Sequence, residues 1–245
     1  MNLVVDIGNS RVKVAVIDGD DVIFDCVFDS ICIETIEDII SRYDVRKLIV
    51  CSVRRDTRST FLSLKKKVET YLFLDYKTPL PIQIRYQTYE TLGMDRVAMA
   101  VGASSLYEVR SAILVDMGTA MTIDILLDGC FMGGNISPGV EMRLKSLHEY
   151  TSMLPKVDAE LQEDDSLPWG TSTQDAILKG VMHGIASEIE GMRDKLKAVA
   201  GDIPVILAGG GAKLFVNRIK NAIFADANIV CVGLNKILEF NAKNS

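Results

Sequence analysis

Three observations predict an α/β fold built twice along this chain. The first is a repeated motif: Val4-Val5-Asp6-Ile7-Gly8-Asn9-Ser10 near the start returns as Leu114-Val115-Asp116-Met117-Gly118-Thr119-Ala120 near the middle. In both copies an apolar strand runs into an Asp-x-Gly turn and a second apolar strand leaves it. The second is an Asp-Gly hairpin signal twelve residues after each aspartate, at Asp18-Gly19 and Asp128-Gly129. The third is the order of hydrophobic periods downstream, where a strand meander gives way to alternating helical and strand-like segments.

The elements follow in order. Val- and Ile-rich runs at Asn2 to Asp6, Val12 to Ile17 and Val22 to Phe28 predict an antiparallel meander. A helix from Ile33 to Tyr43, a strand at Leu48 to Val53, a helix from Thr57 to Val68 and a strand at Tyr71 to Leu74 complete the unit. Thr78-Pro79-Leu80-Pro81 breaks the rhythm, and Gly93 to Tyr107 has the spacing of a connecting helix. The second half repeats the order: strands at Ala112 to Asp116, Met121 to Leu127 and Cys130 to Gly134, then a helix after Pro138. An acidic stretch from Pro155 to Pro168 reads as a surface loop, and a long helix spans Thr173 to Val199. A strand at Pro204 to Ala208, the run Gly209-Gly210-Gly211, a helix, a strand around Ile229 to Val232 and a last helix close the chain. Meander, helix, strand, helix, strand, helix in each half is a duplicated ribonuclease-H-like arrangement, with mixed sheets flanked by helices. At 245 residues two modest domains are expected, 1–108 and 109–245.

Composition narrows the function. A net charge of −6 and pI near 5.1 argue against a nucleic-acid surface. Lys65-Lys66-Lys67 reads as the solvated face of a helix. No stretch reaches the roughly 18 apolar residues of a membrane span, and an N-terminus that enters a strand already carrying Asp6 argues against a cleaved signal. Five cysteines without Cys-x-x-Cys spacing read as free, mostly buried thiols of a reducing, cytoplasmic compartment. Two histidines, His148 and His183, with no clustered ligands, give little support to a zinc site or a Ser-His-Asp triad.

The doubled turn carries the chemistry. A tight turn exposes backbone N–H groups that can hold phosphate oxygens, and Gly8 and Gly118 are expected to supply positive φ. Asn9, Ser10 and Thr119 add side-chain donors, and Lys13 adds a positive charge. Asp6 and Asp116, at strand ends, are placed to hold Mg²⁺ or another cation that accompanies nucleotide phosphates. At Gly93-Met94-Asp95-Arg96 a helix begins; a carboxylate beside a guanidinium can accept a hydroxyl proton while the arginine fixes an anion. The bland alternative makes Asp95 a helix cap and Arg96 a surface residue. Gly133-Gly134-Asn135-Ile136-Ser137-Pro138-Gly139 is either a close approach for a ligand or a sharp corner, and Gly209 to Gly211 offers bare backbone to a sugar or base. Trp169 reads as loop packing. The first copy has the donors and charge of a phosphate grip. The second, with Ile123 at Lys13's spacing and with Thr119, Thr122 and Asp124, suits a cation and the far side of a nucleotide.

Asp6 to Lys13, Gly93 to Arg96, Asp116 to Asp124 and Gly133 to Gly139, in this order and spacing, closely resemble type III pantothenate kinase over nearly the whole chain. That family belongs to the acetate and sugar kinase, Hsp70 and actin superfamily, so the resemblance implies two actin-like ATPase domains. It also implies ATP-dependent phosphorylation of the primary hydroxyl of pantothenate, the first step towards coenzyme A. On the same resemblance Asp6, Ile7, Gly8, Asn9, Ser10, Arg11, Val12, Lys13 and Thr119 would bind ATP with Mg²⁺. Asp95 would accept the proton, and Asp116 would bind a monovalent cation, K⁺ or NH₄⁺. Tyr86, Gly93, Met94, Asp95, Arg96 and Thr173 would contact pantothenate, and the protein would be a cytoplasmic homodimer engaging neither nucleic acid nor membrane. Ser10 stands where many members carry Thr, and Tyr89 where members often carry Pro. Two other readings compete: a non-catalytic nucleotide-binding regulator of the same fold, and a kinase for another small hydroxylated or carboxylic substrate.

Overall fold

A computed structural model of the chain describes residues 1–30, 32–54, 57–159, 167–225 and 227–243. Its strands are β1 (Asn2–Ile7), β2 (Val12–Asp18), β3 (Asp21–Phe28), β4 (Lys47–Ser52), β5 (Thr70–Phe73), β6 (Gln83–Ile84), β7 (Ala112–Met117), β8 (Ala120–Leu127), β9 (Cys130–Pro138), β10 (Val205–Ala208) and β11 (Ala222–Phe224). The helices are α1 (Ile33–Arg42), α2 (Thr57–Phe61), α3 (Met94–Tyr107), α4 (Val140–Glu149), α5 (Thr173–Ala200) and α6 (Ile229–Lys243).

The chain divides into two compact units. The first comprises Met1–Arg110, Asp128–Gly133 and Asn228–Ser245, and the second Ser111–Leu127 and Gly134–Ala227. The last helix therefore clusters with the N-terminal half.

In the first unit the strand order is β3-β2-β1-β4-β5. β2 runs antiparallel to β1 and β3, while β4 runs parallel to β1 and β5. The other sheet is six-stranded, β11-β10-β7-β8-β9-β6, and its first five strands repeat that order backwards, with β7 antiparallel to β8 and parallel to β10, and β10 parallel to β11. Each sheet thus holds the mixed ribonuclease-H-like arrangement, and the duplication read from the two Asp-x-Gly motifs is a duplication of topology.

Alternation decides the faces of β1. Leu3, Val5 and Ile7 join Ile36, Ile39 and Ile40 of α1, with Phe61 and Leu64, in one buried cluster. The spacing of those isoleucines turns one stripe of α1 to the sheet, and Arg42 in its last turn suits the negative end of the helix dipole. α3 and α6 pack against each other, α3 also touching β4 and α6 touching β1 and β4. Their crossing is close enough to need glycine on both helices. A Cβ on Gly233 would lie 1.8 Å from the Ala98 carbonyl oxygen, and one on Gly102 2.0 Å from that of Ile229.

Several local expectations need correction. The first hairpin pivots on Gly19-Asp20, because Asp18 still pairs with Asp21 and Gly19 takes the positive φ of 62°. The second pivots on Asp128-Gly129, both at positive φ (51° and 77°), as a type I′ turn requires. The helix expected from Thr57 to Val68 is α2 followed by a 3-10 stretch at Leu62–Lys66; Lys65 and Lys66 at its end and Lys67 as its C-cap are exposed. No full helix follows Gly211, only a 3-10 turn at Ala212–Leu214. The strand assigned to Ile229 to Val232 is the first turn of α6; packing on α3 overrides the strand preference of a β-branched run, and the edge strand is β11 instead. The loop expected from Pro155 to Pro168 lies partly outside the described residues. All five cysteines are free, with Cys51, Cys130 and Cys231 buried, Cys26 half-buried and Cys32 exposed. Trp169 does not pack into its loop, being 61% exposed.

Candidate active site

Asp6, near the end of β1, lies opposite Lys13 on β2 and Cys51 on β4. Residues in register on adjacent strands share a face, so lysine, aspartate and cysteine form one row at the carboxyl ends of β1 and β4. The four-residue corner that follows is closed by the Gly8 N–H donating to the Arg11 carbonyl at 3.0 Å, and Asn9, Ser10 and Arg11 stand exposed on it. Neither Gly8 nor Gly118 has positive φ, so the conformational reason expected for them does not hold. Both glycines work by what they lack: a Cβ would press on the Arg11 carbonyl at 3.3 Å and on that of Ala120 at 3.4 Å.

α3 begins beside this row. Gly93 is its N-cap, and a Cβ there would lie 2.6 Å from Asp95 Oδ1. The glycine clears space for the carboxylate, whose Oδ1 accepts the Arg96 backbone N–H at 3.0 Å. Burial pushes the Asp95 carboxyl above its ordinary value, although the Arg96 backbone N–H and positive charge pull the other way. A carboxylate made more basic in this way is better suited to accept a hydroxyl proton. The Cys51 thiol is raised further, first by its own burial and then by the charges of Asp6 and Asp95. Cys51 therefore senses both carboxylates at once.

Arg96 is not a surface residue: it is 7% exposed. Its guanidinium carbon lies 5.9 Å from the Tyr86 ring centre and 5.8 Å from that of Phe131, within cation–π range. The pairing that builds this clamp is short. β6 runs parallel to the start of β9, with Ile84 opposite Phe131, and the Arg85 N–H donates to the Phe131 carbonyl at 2.8 Å. Tyr86 then settles on Gly133, where φ is +101° and a Cβ would meet the ring at 3.1 Å. Gly133 is thus bare for a side chain of the same unit, and Phe131 is a residue of this half-site that motif reading missed. Met94, the first residue of α3, is buried under the turn.

The second unit repeats the corner with different chemistry. Asp116 lies opposite Thr122 on β8 and Ala208 on β10, so Lys13's counterpart is Thr122; the expected Ile123 is one residue off. The second corner is one residue shorter than the first, and a one-residue offset moves a side chain to the other face. The Thr122 Oγ1 is buried and has no hydrogen-bond partner among the described residues. Gly209 follows at φ +85°, where a Cβ would lie 2.4 Å from Asp116 Oδ1. Thr119 stands exposed on the corner, and its carbonyl accepts the Gly139 N–H at 3.0 Å. A Cβ on Gly139 would strike the Gly118 carbonyl oxygen at 2.2 Å, so the last glycine of that motif seats the start of α4 on the turn. Gly134 serves Asp124 likewise, at 2.5 Å from its Oδ1.

Thr173, the first residue of α5, lines a cavity of about 580 Å³ with Arg143, Ser146, Leu147 and Ile177. His148, in the last turn of α4, has its Nδ1 2.8 Å from the Leu154 carbonyl, which accounts for it structurally. No group of three or more His, Cys, Asp or Glu side chains able to hold a metal ion occurs among the described residues.

A duplicated ribonuclease-H-like sheet with an acidic residue at each strand-turn corner, and a half-buried carboxylate at a helix start, is the arrangement of the actin-like ATPase and sugar-kinase fold. The solved structures agree on the fold. A Campylobacter jejuni protein described as a Baf family transcriptional activator aligns with a TM-score of 0.66 at 22% identity, covering 98% of this chain and 99% of that one. One described as a 2-dehydro-3-deoxygalactonokinase from Sinorhizobium meliloti aligns at 0.59 and 16%, covering 98% and 99%. The family model for type III pantothenate kinase matches residues 2–195. The type III pantothenate kinases of Bacteroides fragilis and Phocaeicola vulgatus are 40% and 36% identical to this chain, covering 98% and 99% of it and 98% and 100% of their own lengths. The chain belongs to the type III pantothenate kinase family.

Proposed function

We propose that the chain transfers the terminal phosphate of ATP to the primary hydroxyl of pantothenate, with Asp95 as the general base. The observation that carries the reading is the Asp95-Arg96 pair: a carboxyl made more basic by burial, next to a guanidinium clamped between two aromatic rings. Arg96 and Tyr86 would hold the acid's carboxylate, with Gly93, Met94 and Thr173 completing the substrate contacts. Asp6 to Lys13 and Thr119 would grip the nucleotide. Phosphoryl transfer of this kind rests on fixing the phosphate, neutralising its charge and aligning the acceptor.

The residues fit the expected ions. Mg²⁺ is usually carried by substrate phosphates with one or two carboxylates, which Asp6 can supply without a dedicated cage. A monovalent cation needs oxygen ligands, and Asp116 faces the buried Thr122 hydroxyl, which supports a K⁺ or NH₄⁺ site there. When bound, such ions would offset phosphate charge. Asp116→Asn tests that site, because it removes the carboxylate's charge and keeps the size of the side chain. We expect the K⁺ concentration for half-maximal activity to rise at least about tenfold, as loss of a charge-assisted contact implies; an unchanged K⁺ dependence would remove Asp116 from cation binding.

A homodimer is supported by exposed apolar residues in the second unit, among them Tyr150 at 86% and Met153 at 89%. A cytoplasmic location fits the free cysteines and the finding that no described helix is long and apolar enough to cross a membrane.

The reading is tested by ADP release with pantothenate, hexoses, glycerol and acetate in parallel. Pantothenate is expected to give the highest kcat/KM by at least about a hundredfold, the discrimination available to a site built to pair polar groups. Preference for a hexose or acetate contradicts it.

A further inference from the structure

We propose that Arg54 is a phosphate-binding residue of the nucleotide site, an assignment that rests on the kinase reading above. Because β4 runs parallel to β1, the chain leaving β4 emerges beside the Gly8-Asn9-Ser10 corner. The Val53 N–H donates to the Ile7 carbonyl at 3.0 Å, carrying the pairing one residue beyond both strands. Arg54 comes next, and its Nε donates to the Gly8 carbonyl oxygen at 2.7 Å.

That single bond orients the guanidinium. With Nε held on the Gly8 carbonyl, the guanidinium is anchored at the turn proposed above as the phosphate grip. Among the described residues neither Nη atom has a hydrogen-bond partner, and their four N–H groups are the donors assigned here to an anion. The backbone beneath is locked as well. The Arg54 N–H donates to Ser52 Oγ at 3.1 Å, and the Thr57 hydroxyl spans Ser52 Oγ at 2.7 Å and the Arg54 carbonyl at 3.0 Å. A long cation held at both its backbone and its Nε has already lost much of the freedom that binding would otherwise remove.

The duplicated half carries the same pairing without a cation. In the second unit the N–H that donates to the Met117 carbonyl, the counterpart of Ile7's, is that of Gly211 at 3.0 Å; in the first it is that of Val53, so Arg54 is the residue that follows the paired position, in the half that also carries Lys13. Two cations beside one turn match the several negative charges of a nucleoside triphosphate.

The test compares Arg54→Ala, Arg54→Gln and the unaltered chain in three measurements. The first is affinity for Mg²⁺ with a non-hydrolysable ATP analogue, read by calorimetry without pantothenate. The second is kcat and both KM values, and the third is recovery of the Ala variant's turnover by added guanidinium. Both variants are expected to bind the analogue about 10 to 100-fold more weakly, the range for a charge-assisted contact. The KM for pantothenate should stay within about twofold, and guanidinium should restore about tenfold of the lost rate. The Gln variant can still donate to the Gly8 carbonyl, so its deficit reports the charge and not the anchoring bond. Equal analogue affinity in the Gln variant and the unaltered chain, or no recovery with guanidinium, overturns the assignment alone. An unaltered chain that binds no Mg²⁺ nucleotide overturns it together with the kinase reading.

Discussion

Asp95→Asn is expected to lower kcat by a factor of about 10² to 10⁴, the range for a lost general base, while leaving the KM for ATP within about twofold. The substitution keeps the size of the side chain and an oxygen that can accept the Arg96 backbone N–H, so the start of α3 should hold its form. What is lost is the basic oxygen. The pH profile gives an independent check with a defined sign. Asp95 must be ionised to take a proton, so kcat/KM should fall as pH drops through its folded pKa. Burial moves that pKa above the ordinary aspartate value, so the acidic limb should lie higher than for an exposed carboxylate. The limb should be absent from the residual activity of the Asn variant. Full activity in that variant, measured by coupled ADP release, would remove Asp95 from the chemistry.

The second large effect concerns stability. Gly233→Ala is expected to cost about 3 kcal/mol or more, because the new Cβ would sit 1.8 Å from the Ala98 carbonyl oxygen and α6 would have to move off α3. The sign is decided by packing against propensity. In an open helical position glycine to alanine gains up to about 1 kcal/mol. Gly191 of α5 is such a position, with no atom within 4 Å of where the new methyl would sit, so Gly191→Ala is the control that should be neutral or stabilising. α3 carries Asp95 and Arg96 at its start, so a shifted crossing should also depress kcat in whatever fraction stays folded. Urea unfolding of the two variants side by side separates the cases, and a Gly233→Ala protein as stable as the unaltered chain would contradict the close crossing.

Much of this architecture could be read from the chain alone because it is written locally. Alternating Val and Ile before and after Asp6 and Asp116 state both strands and turn, and Asp128-Gly129 states the hairpin's type. Gly93-Met94-Asp95-Arg96 announces a helix start with an acid in its first turn. What stayed hidden depends on partners distant in sequence. Nothing near Gly233 shows that Ala98 will lie against it, and nothing near Gly133 shows Tyr86. Thr122 was obscured for a different reason: matching the two copies by equal spacing ignores a corner one residue shorter, and that residue decides which side chain faces Asp116. Arg54 looks like an ordinary charged loop residue until β4 is known to run parallel beside β1. The error at Ile229 to Val232 has the opposite origin, since a four-residue run with three β-branched residues reads as a strand until the apolar face of a 15-residue helix claims it.

Phosphorus NMR of the product made by the purified chain from ATP and pantothenate, with Mg²⁺ and K⁺ present, tests the central claim most directly. Transfer to the primary hydroxyl predicts a phosphomonoester signal split into a triplet by the two protons of the adjoining methylene group, appearing as ADP accumulates and absent without pantothenate. A doublet from the secondary hydroxyl, an unsplit hydroxylamine-sensitive acyl phosphate, or ADP and free phosphate with no ester would contradict it.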